Sequence, residues 1–189
     1  MLSRIIVKYY QRWRIYLYKC LSDNHFQGKP IINQPVLVKG LGKVSVGENV
    51  HLGYFPSPYF YETTMYIEAR GEGSSIVIGN NVYINNGFKV ICDKTTIVIG
   101  NKVLMGTNVE IIDSDFHCIH PDERNNPNYK CLPVFIGDNV FIGSNVKILK
   151  GVTIGNNSVI ANNSVVTKSI GENLIAGGNP AKNIKSVYE

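Results

Sequence analysis

Residues 135–170 read FIGDNVFIGSNVKILKGVTIGNNSVIANNSVVTKSI. Within them Ile136, Ile142, Ile148, Ile154, Ile160 and Val166 recur at intervals of six, and Val140, Val146, Val152, Ser158, Ser164 and Ile170 follow each by four. An α-helix returns apolar residues to one face at intervals of three and four, and a half-buried strand at intervals of two. A sustained interval of six fits neither. It requires a chain that comes back to one interior line by turning corners, which is a coiled parallel β-helix. Its interior column takes aliphatic residues because each rung buries the one beneath it. Gly137, Asn139, Gly143, Asn145, Gly155 and Asn157 read as corner residues, where the backbone enters positive φ.

Outward from that stretch, composition sets the bounds. A chain of 189 residues with 44% hydrophobic content supports one domain with its own core. Cys20, Cys92, Cys118 and Cys131 have no tight metal-binding spacing and no signal peptide precedes them, so reduced thiols and a cytoplasmic location are expected. The apolar runs are a few residues long, against the roughly 20 that span a bilayer. The formal charge of +5 is local. Residues 1–30 carry Arg4, Lys8, Arg12, Arg14, Lys19 and Lys29 against Asp23, which leaves the remainder neutral and gives no general case for nucleic-acid binding.

That basic arm reads as an amphipathic helix from about Ser3 to Leu21. Leu2, Ile5, Ile6, Tyr9, Trp13, Tyr16, Leu17 and Cys20 share one face, with Lys8, Arg12 and Lys19 opposite. Two roles follow: the aromatic face packs on the first rung or a neighbouring subunit, or it docks peripherally on a membrane surface. Asp23 to Pro35 reads as an irregular linker, so residues 1–35 form a helix and linker and 36–175 the β-helix. Tyr54 to Tyr61, YFPSPYFY, leaves the coil and folds back, either to cap an apolar edge or to line an acceptor cleft. The six-spaced column resumes at Ile67, Ile78, Ile84 and Val90, slips by three, and continues through Ile99, Met105, Ile111 and His117. A polar loop, Cys118 to Pro133, then interrupts it. An excursion of that length in a strict repeat marks a functional segment.

The ordered set IVIGNNVYINN (76–86), SDFH (114–117), GVTIGNNSVI (151–160), VVTK (165–168) and GNPAK (178–182) resembles the hexapeptide-repeat acyltransferases. Within them it is most similar to the galactoside and maltose acetyltransferases and the O-acetyltransferases of surface-polysaccharide gene clusters. The resemblance covers about Val36 to Lys185. It implies a left-handed coil, a hand that periodicity does not select since parallel crossovers are otherwise right-handed in about 98% of cases. It also implies a homotrimer with active sites in the grooves between subunits.

A sugar hydroxyl attacks a thioester poorly unless a base takes its proton as the bond forms, and histidine suits that task near neutral pH. The resemblance gives that role to His117. Asp115 is a candidate to orient its second nitrogen, although a backbone carbonyl serves in relatives, and a corner between Asp113 and His117 would separate the carboxylates from the ring. The oxyanion needs donors, and Ser144 stands at the family's position. Asn85 and Asp93 match its sugar-binding amide and carboxylate, with Asn86 and Gly87 beside Asn85 as corner residues. Arg124 suits an acidic sugar or a phosphate. For acetyl-CoA the matching residues are Asn162, Thr167 and Lys168, then Lys182 and Lys185 in the tail, 176–189. Lysines stand at 182 and 185 where some relatives carry arginines, supplying charge without a bidentate fork. Phe141 stands where some have tryptophan. No P-loop or Rossmann glycine pattern competes for the nucleotide.

These readings converge on an acetyl-CoA-dependent sugar O-acetyltransferase working by direct transfer, with no metal and no acyl-enzyme on Cys118. The alternative on the same coil is an N-acetyltransferase for a nucleotide-linked amino sugar. Two further readings are a zinc hydratase, which needs three histidine ligands across a groove while His25, His51, His117 and His120 lack that spacing, and a non-catalytic scaffold.

Overall fold

The computed structural model describes the chain from Leu2 to Glu189, with side chains from Val7 onward. Leu2, Ile5 and Ile6, counted above on the apolar helix face, have side chains outside the described residues. Helix α1 (Leu2–Leu21) leads into a coil of six three-sided rungs. The rungs are β1 (Phe26–Gln27), β2 (Ile31–Ile32) and β3 (Val36–Lys39); β4 (Lys43–Val46), β5 (His51–Leu52) and β6 (Met65–Ala69); and β7 (Ser75–Ile78), β8 (Tyr83–Ile84) and β9 (Lys89–Cys92). Then come β10 (Thr96–Ile99), β11 (Leu104–Met105) and β12 (Glu110–Ile112); β13 (Val134–Ile136), β14 (Phe141–Ile142) and β15 (Lys147–Ile148); and β16 (Thr153–Ile154), β17 (Val159–Ile160) and β18 (Val165–Val166). Every third strand stacks in parallel, so β1, β2 and β3 each begin one side of the prism. A hairpin of β19 (Leu174–Gly178) and β20 (Ala181–Ser186) closes the far end on the second side.

The interval of six is the passage from one side's inward residue to the next. Register pairs Ile78, Ile99, Ile136 and Ile154 on the first side, and Ile84, Met105, Ile142 and Ile160 on the second. Ile67, Val90, Ile111, Ile148 and Val166 pair on the third. All are buried, and from Ile136 onward so are the positions four residues later, Val140, Val146, Val152, Ser158, Ser164 and Ile170. The two serines there are satisfied: Ser158 donates to the Gly171 carbonyl at 2.7 Å and Ser164 to that of Ala161 at 2.6 Å.

Asparagine and glycine divide the corner work that the sequence assigns to both. Asn139, Asn145, Asn157 and Asn163 hold φ between 56° and 60°, and their amides stack, Asn139 to Asn157 and Asn157 to Asn173 at 2.9 Å. Gly137, Gly143 and Gly155 do not turn to positive φ. A Cβ on each would stand 2.3–2.5 Å from an atom of the next rung, so glycine is needed there for close stacking, a correction to its reading as a bend.

Two further expectations change. Strands β1 and β2 lie inside the stretch read as a linker and pair with β4 and β5, so the coil begins at Phe26. Helix α1 docks by its polar side. Gln11 and Arg14 are buried and donate to the carbonyls of Asn33 (3.0 Å), Phe60 (3.3 and 3.4 Å) and Thr63 (2.7 Å). Tyr9, Trp13 and Tyr16 face outward, so the aromatic face does not pack on the first rung. The physical reason is the 54–64 excursion, whose turned carbonyls require donors that the aromatic face lacks. No helix among the described residues is long and apolar enough to cross a membrane.

Candidate active site

The residues singled out by sequence fall on two edges of the prism. The edge between second and third sides carries Asn85 after β8, Ser144 after β14 and Asn162 after β17. The edge between third and first sides carries Asp93 after β9, the loop with Asp115, His117 and Arg124 after β12, and Thr167 and Lys168 after β18. Within one chain the third side separates them. Lys182 and Lys185 lie exposed on β20, where Lys182 pairs with Gly177 at the far end of the second side.

The coil breaks off after Ile112, five residues before His117, so that histidine belongs to the loop and not to the inward column. Its side chain is exposed, and Nδ1 lies 3.0 Å from the Arg124 carbonyl. A carbonyl only accepts, so Nδ1 carries the proton and Nε2 of the neutral ring keeps its lone pair outward. Arg124 thus contributes its backbone; its side chain is exposed. Asp115 makes no hydrogen bond to the ring and instead pairs with Lys150. The intervening residue explains the separation: Phe116 holds φ 59°, which turns the chain between Asp115 and His117. A bulky residue in that region costs about 1–3 kcal/mol and persists only when neighbours hold it. Here the Ser114 hydroxyl accepts from the Phe116 N–H at 2.9 Å and the Arg70 guanidinium stacks 5.0 Å from the ring centroid.

More contacts fasten the loop to its edge. Leu132 N–H donates to the Asp113 carbonyl at 2.8 Å, Lys94 donates to the Pro127 carbonyl at 2.8 Å, and its ammonium lies 3.8 Å from the Tyr129 ring centre. Asp113 is fully buried and accepts from the N–H groups of Asp93, Lys94 and Thr95 and from the Thr95 hydroxyl. It closes the corner. Burial first, and the Asp113 charge second, push the Cys92 thiol up to about 12.

Asp93, matched to a sugar-binding carboxylate, is 3% exposed and lies 3.4 Å from Arg70 Nη1. It also pushes the facing Tyr129 phenol up to about 12, through a hydrogen bond first and with burial second. Arg70 completes its own fork on Glu68 at 2.9 and 3.1 Å. Arg70 and Tyr129 were missed in the sequence. The signal for Arg70 is register, since Ala69 pairs with Cys92 and the residues after both share one corner. The Cys118 thiol donates to the Asn126 carbonyl at 3.6 Å, inside the loop.

On the other edge the adjacent asparagines separate. Asn86 is fully buried and pins the 54–64 excursion, donating to the Tyr54 and Pro58 carbonyls and accepting from Tyr54 N–H. Asn85 lines a cavity of about 270 Å³ with Tyr54, Tyr83, Leu104 and Phe141, and among the described residues only its Oδ1 is engaged, by Asn86 N–H. Ser144 N–H donates to Asn162 Oδ1 at 2.8 Å, while its hydroxyl oxygen accepts from Thr107 N–H at 3.1 Å. The hydroxyl proton is left to donate.

The family described as Bacterial transferase hexapeptide (six repeats) matches residues 133–168. The galactoside O-acetyltransferase of Escherichia coli K12 is 37% identical over 166 residues, which cover 88% of this chain and 74% of that protein. Among solved structures, the polySia-specific acetyltransferase NeuO superposes with a TM-score of 0.65 at 28% identity, covering 88% of this chain and 74% of its own. A hexapeptide-repeat acetyltransferase of Vibrio cholerae, complexed with acetyl coenzyme A, superposes at 0.59 and 27% identity, covering 94% and 78%. These superpositions identify the coil as the left-handed parallel β-helix.

Proposed function

The chain belongs to the hexapeptide-repeat acyltransferases, and on that premise we propose that it moves the acetyl group of acetyl-CoA to a sugar hydroxyl in surface-polysaccharide biosynthesis. The observation that carries the mechanism is the His117 ring, tethered through Nδ1 to the Arg124 carbonyl with Nε2 outward. Nε2 takes the acceptor hydroxyl's proton as the oxygen attacks the thioester carbonyl, and the imidazolium returns it to the departing thiolate. The Ser144 hydroxyl donates to the negative charge that develops on the carbonyl oxygen. Because His117 and Ser144 sit on different edges, the site is completed between neighbouring copies of a homotrimer, one copy supplying each.

The acceptor lies in the cavity beside Asn85, where Tyr54, Tyr83 and Phe141 offer faces to a sugar ring and the free Asn85 Nδ2 a donor. The relatives' names favour this substrate class, galactoside in one and polySia in another. Exposed Lys168, Lys182 and Lys185, with Thr167 and the Asn162 amide, suit the donor's phosphates and its amide-bearing arm. Lysines act there as point charges.

The test is thiol release from acetyl-CoA by the purified protein offered neutral sugars, sugar nucleotides and amino-sugar nucleotides separately, with His117→Ala alongside. Release that needs a hydroxyl-only acceptor and disappears in the variant is the expected result. Release confined to amines replaces O-transfer by N-transfer, and absence of coenzyme A binding overturns the donor assignment.

A further inference from the structure

Helix α1 turns an aromatic face to solvent because its polar face is the one that anchors it. At about 100° per residue, Tyr9, Trp13, Tyr16 and Cys20 fall within roughly 60° of one another, opposite Gln11 and Arg14. Tyr9, Trp13 and Tyr16 are 58–68% exposed. Exposed Lys8, Arg12 and Lys19 lie on one flank of this ridge, about 70–110° from it, and not on the opposite side to which the sequence pattern assigns them. Phe55, also exposed, lies on the anchored side of the helix, lining a cleft of about 640 Å³ with Val7, Gln11 and Ile15.

Charge and residue type identify what covers this face. Tyrosine and tryptophan beside lysine and arginine are the side chains that settle at a membrane interface, where an aromatic body meets acyl chains and a cation meets phosphate. The helix carries Arg4, Lys8, Arg12, Arg14 and Lys19 with no acidic residue, and the chain beyond residue 30 is formally neutral. A second copy pairing face to face would bring Lys8, Arg12 and Lys19 against themselves with nothing to neutralise them. We propose that this face docks on an anionic lipid bilayer, with α1 lying in the plane of the headgroups. The proposal stands apart from the acetyl-transfer reading and can fail without it.

Trp13 is the sole tryptophan of the chain, so its fluorescence reports on this face alone. The intact protein is titrated with vesicles of phosphatidylcholine, and with vesicles of phosphatidylcholine and phosphatidylglycerol in equal parts. The phosphatidylglycerol vesicles shift Trp13 emission to the blue, brominated acyl chains quench it, and the protein sediments with them. Lys8→Gln with Arg12→Gln weakens partitioning about thirtyfold, the loss expected for two interfacial cations. Tyr9→Ser with Tyr16→Ser weakens it while leaving the circular dichroism spectrum unchanged, since both side chains are exposed. No shift with phosphatidylglycerol vesicles, or an equal shift with phosphatidylcholine alone, overturns the proposal. So does a blue-shifted emission in lipid-free buffer that reverts on dilution, which makes the occupant a second copy.

Discussion

Between Val134 and Ile170 each rung repeats the one before it, whereas between Asp113 and Pro133 nothing repeats. In the first region the inward strand residues meet their own kind one rung away, Ile136 on Ile154 and Ile142 on Ile160. In the second, Asp115 meets Lys150, Phe116 meets Arg70, and His117 meets a carbonyl seven residues on. The coil is held by many interchangeable apolar contacts and the loop by a few particular polar ones. A repeating interior tolerates no polar base, so the base proposed here stands on a segment that leaves it.

Breaking the two regions therefore has opposite signatures. His117→Ala is expected to lower turnover by about 10²- to 10⁴-fold, the contribution of a general base, with the unfolding temperature unchanged. A rate within threefold of the parent would falsify the role of this ring. In the coil, Ile148→Ala empties a fully buried site in the third-side column and costs about 2–5 kcal/mol, read as a lower midpoint in thermal or denaturant unfolding, while transfer per folded enzyme is preserved.

Subtler changes sharpen the contrast. Ser144→Ala removes one donor and lowers kcat about 10²-fold, with acetyl-CoA affinity, measured by calorimetry, held. Arg70→Ala unstacks Phe116 and lets the His117 loop drift, lowering kcat roughly tenfold with little change in KM; an equal loss in both edges' binding would make Arg70 a global support instead. The smallest effect is a gain. Lys102 holds φ 55° in a corner column where Asn81 and Asn139 hold 57° and 56°, so Lys102→Asn is expected to add about 1 kcal/mol to stability without touching turnover.

How much was legible varies with the distance over which each decision is made. The coil could be read because its rule is local and restated every six residues. His117 came from the motif it shares with a family, and the period that placed it in the inward column was coincidence, since the strand ends at Ile112. What aims it was illegible: Arg70 and Phe116 are 46 residues apart in sequence, and Lys150 and Asp115 are 35. Asn85 and Asn86 look alike in sequence, and only the chain folding back from Tyr54 to Pro58 makes one structural and leaves the other lining a cavity.

Helix α1 marks the boundary between the two kinds of knowledge. Its amphipathic period is a property of twenty consecutive residues and was readable; which face binds depends on carbonyls at Phe60 and Thr63, almost fifty residues away. By itself the sequence determined the coiled parallel β-helix, its aliphatic interior and its asparagine corners, because side-chain size and backbone preference act on neighbours in the chain. Tertiary structure alone decided which edge each site residue occupies, that a backbone carbonyl and not Asp115 orients His117, and that the aromatic side of α1 faces outward. Those outcomes depend on hydrogen-bonding groups that meet only once distant segments have been brought together.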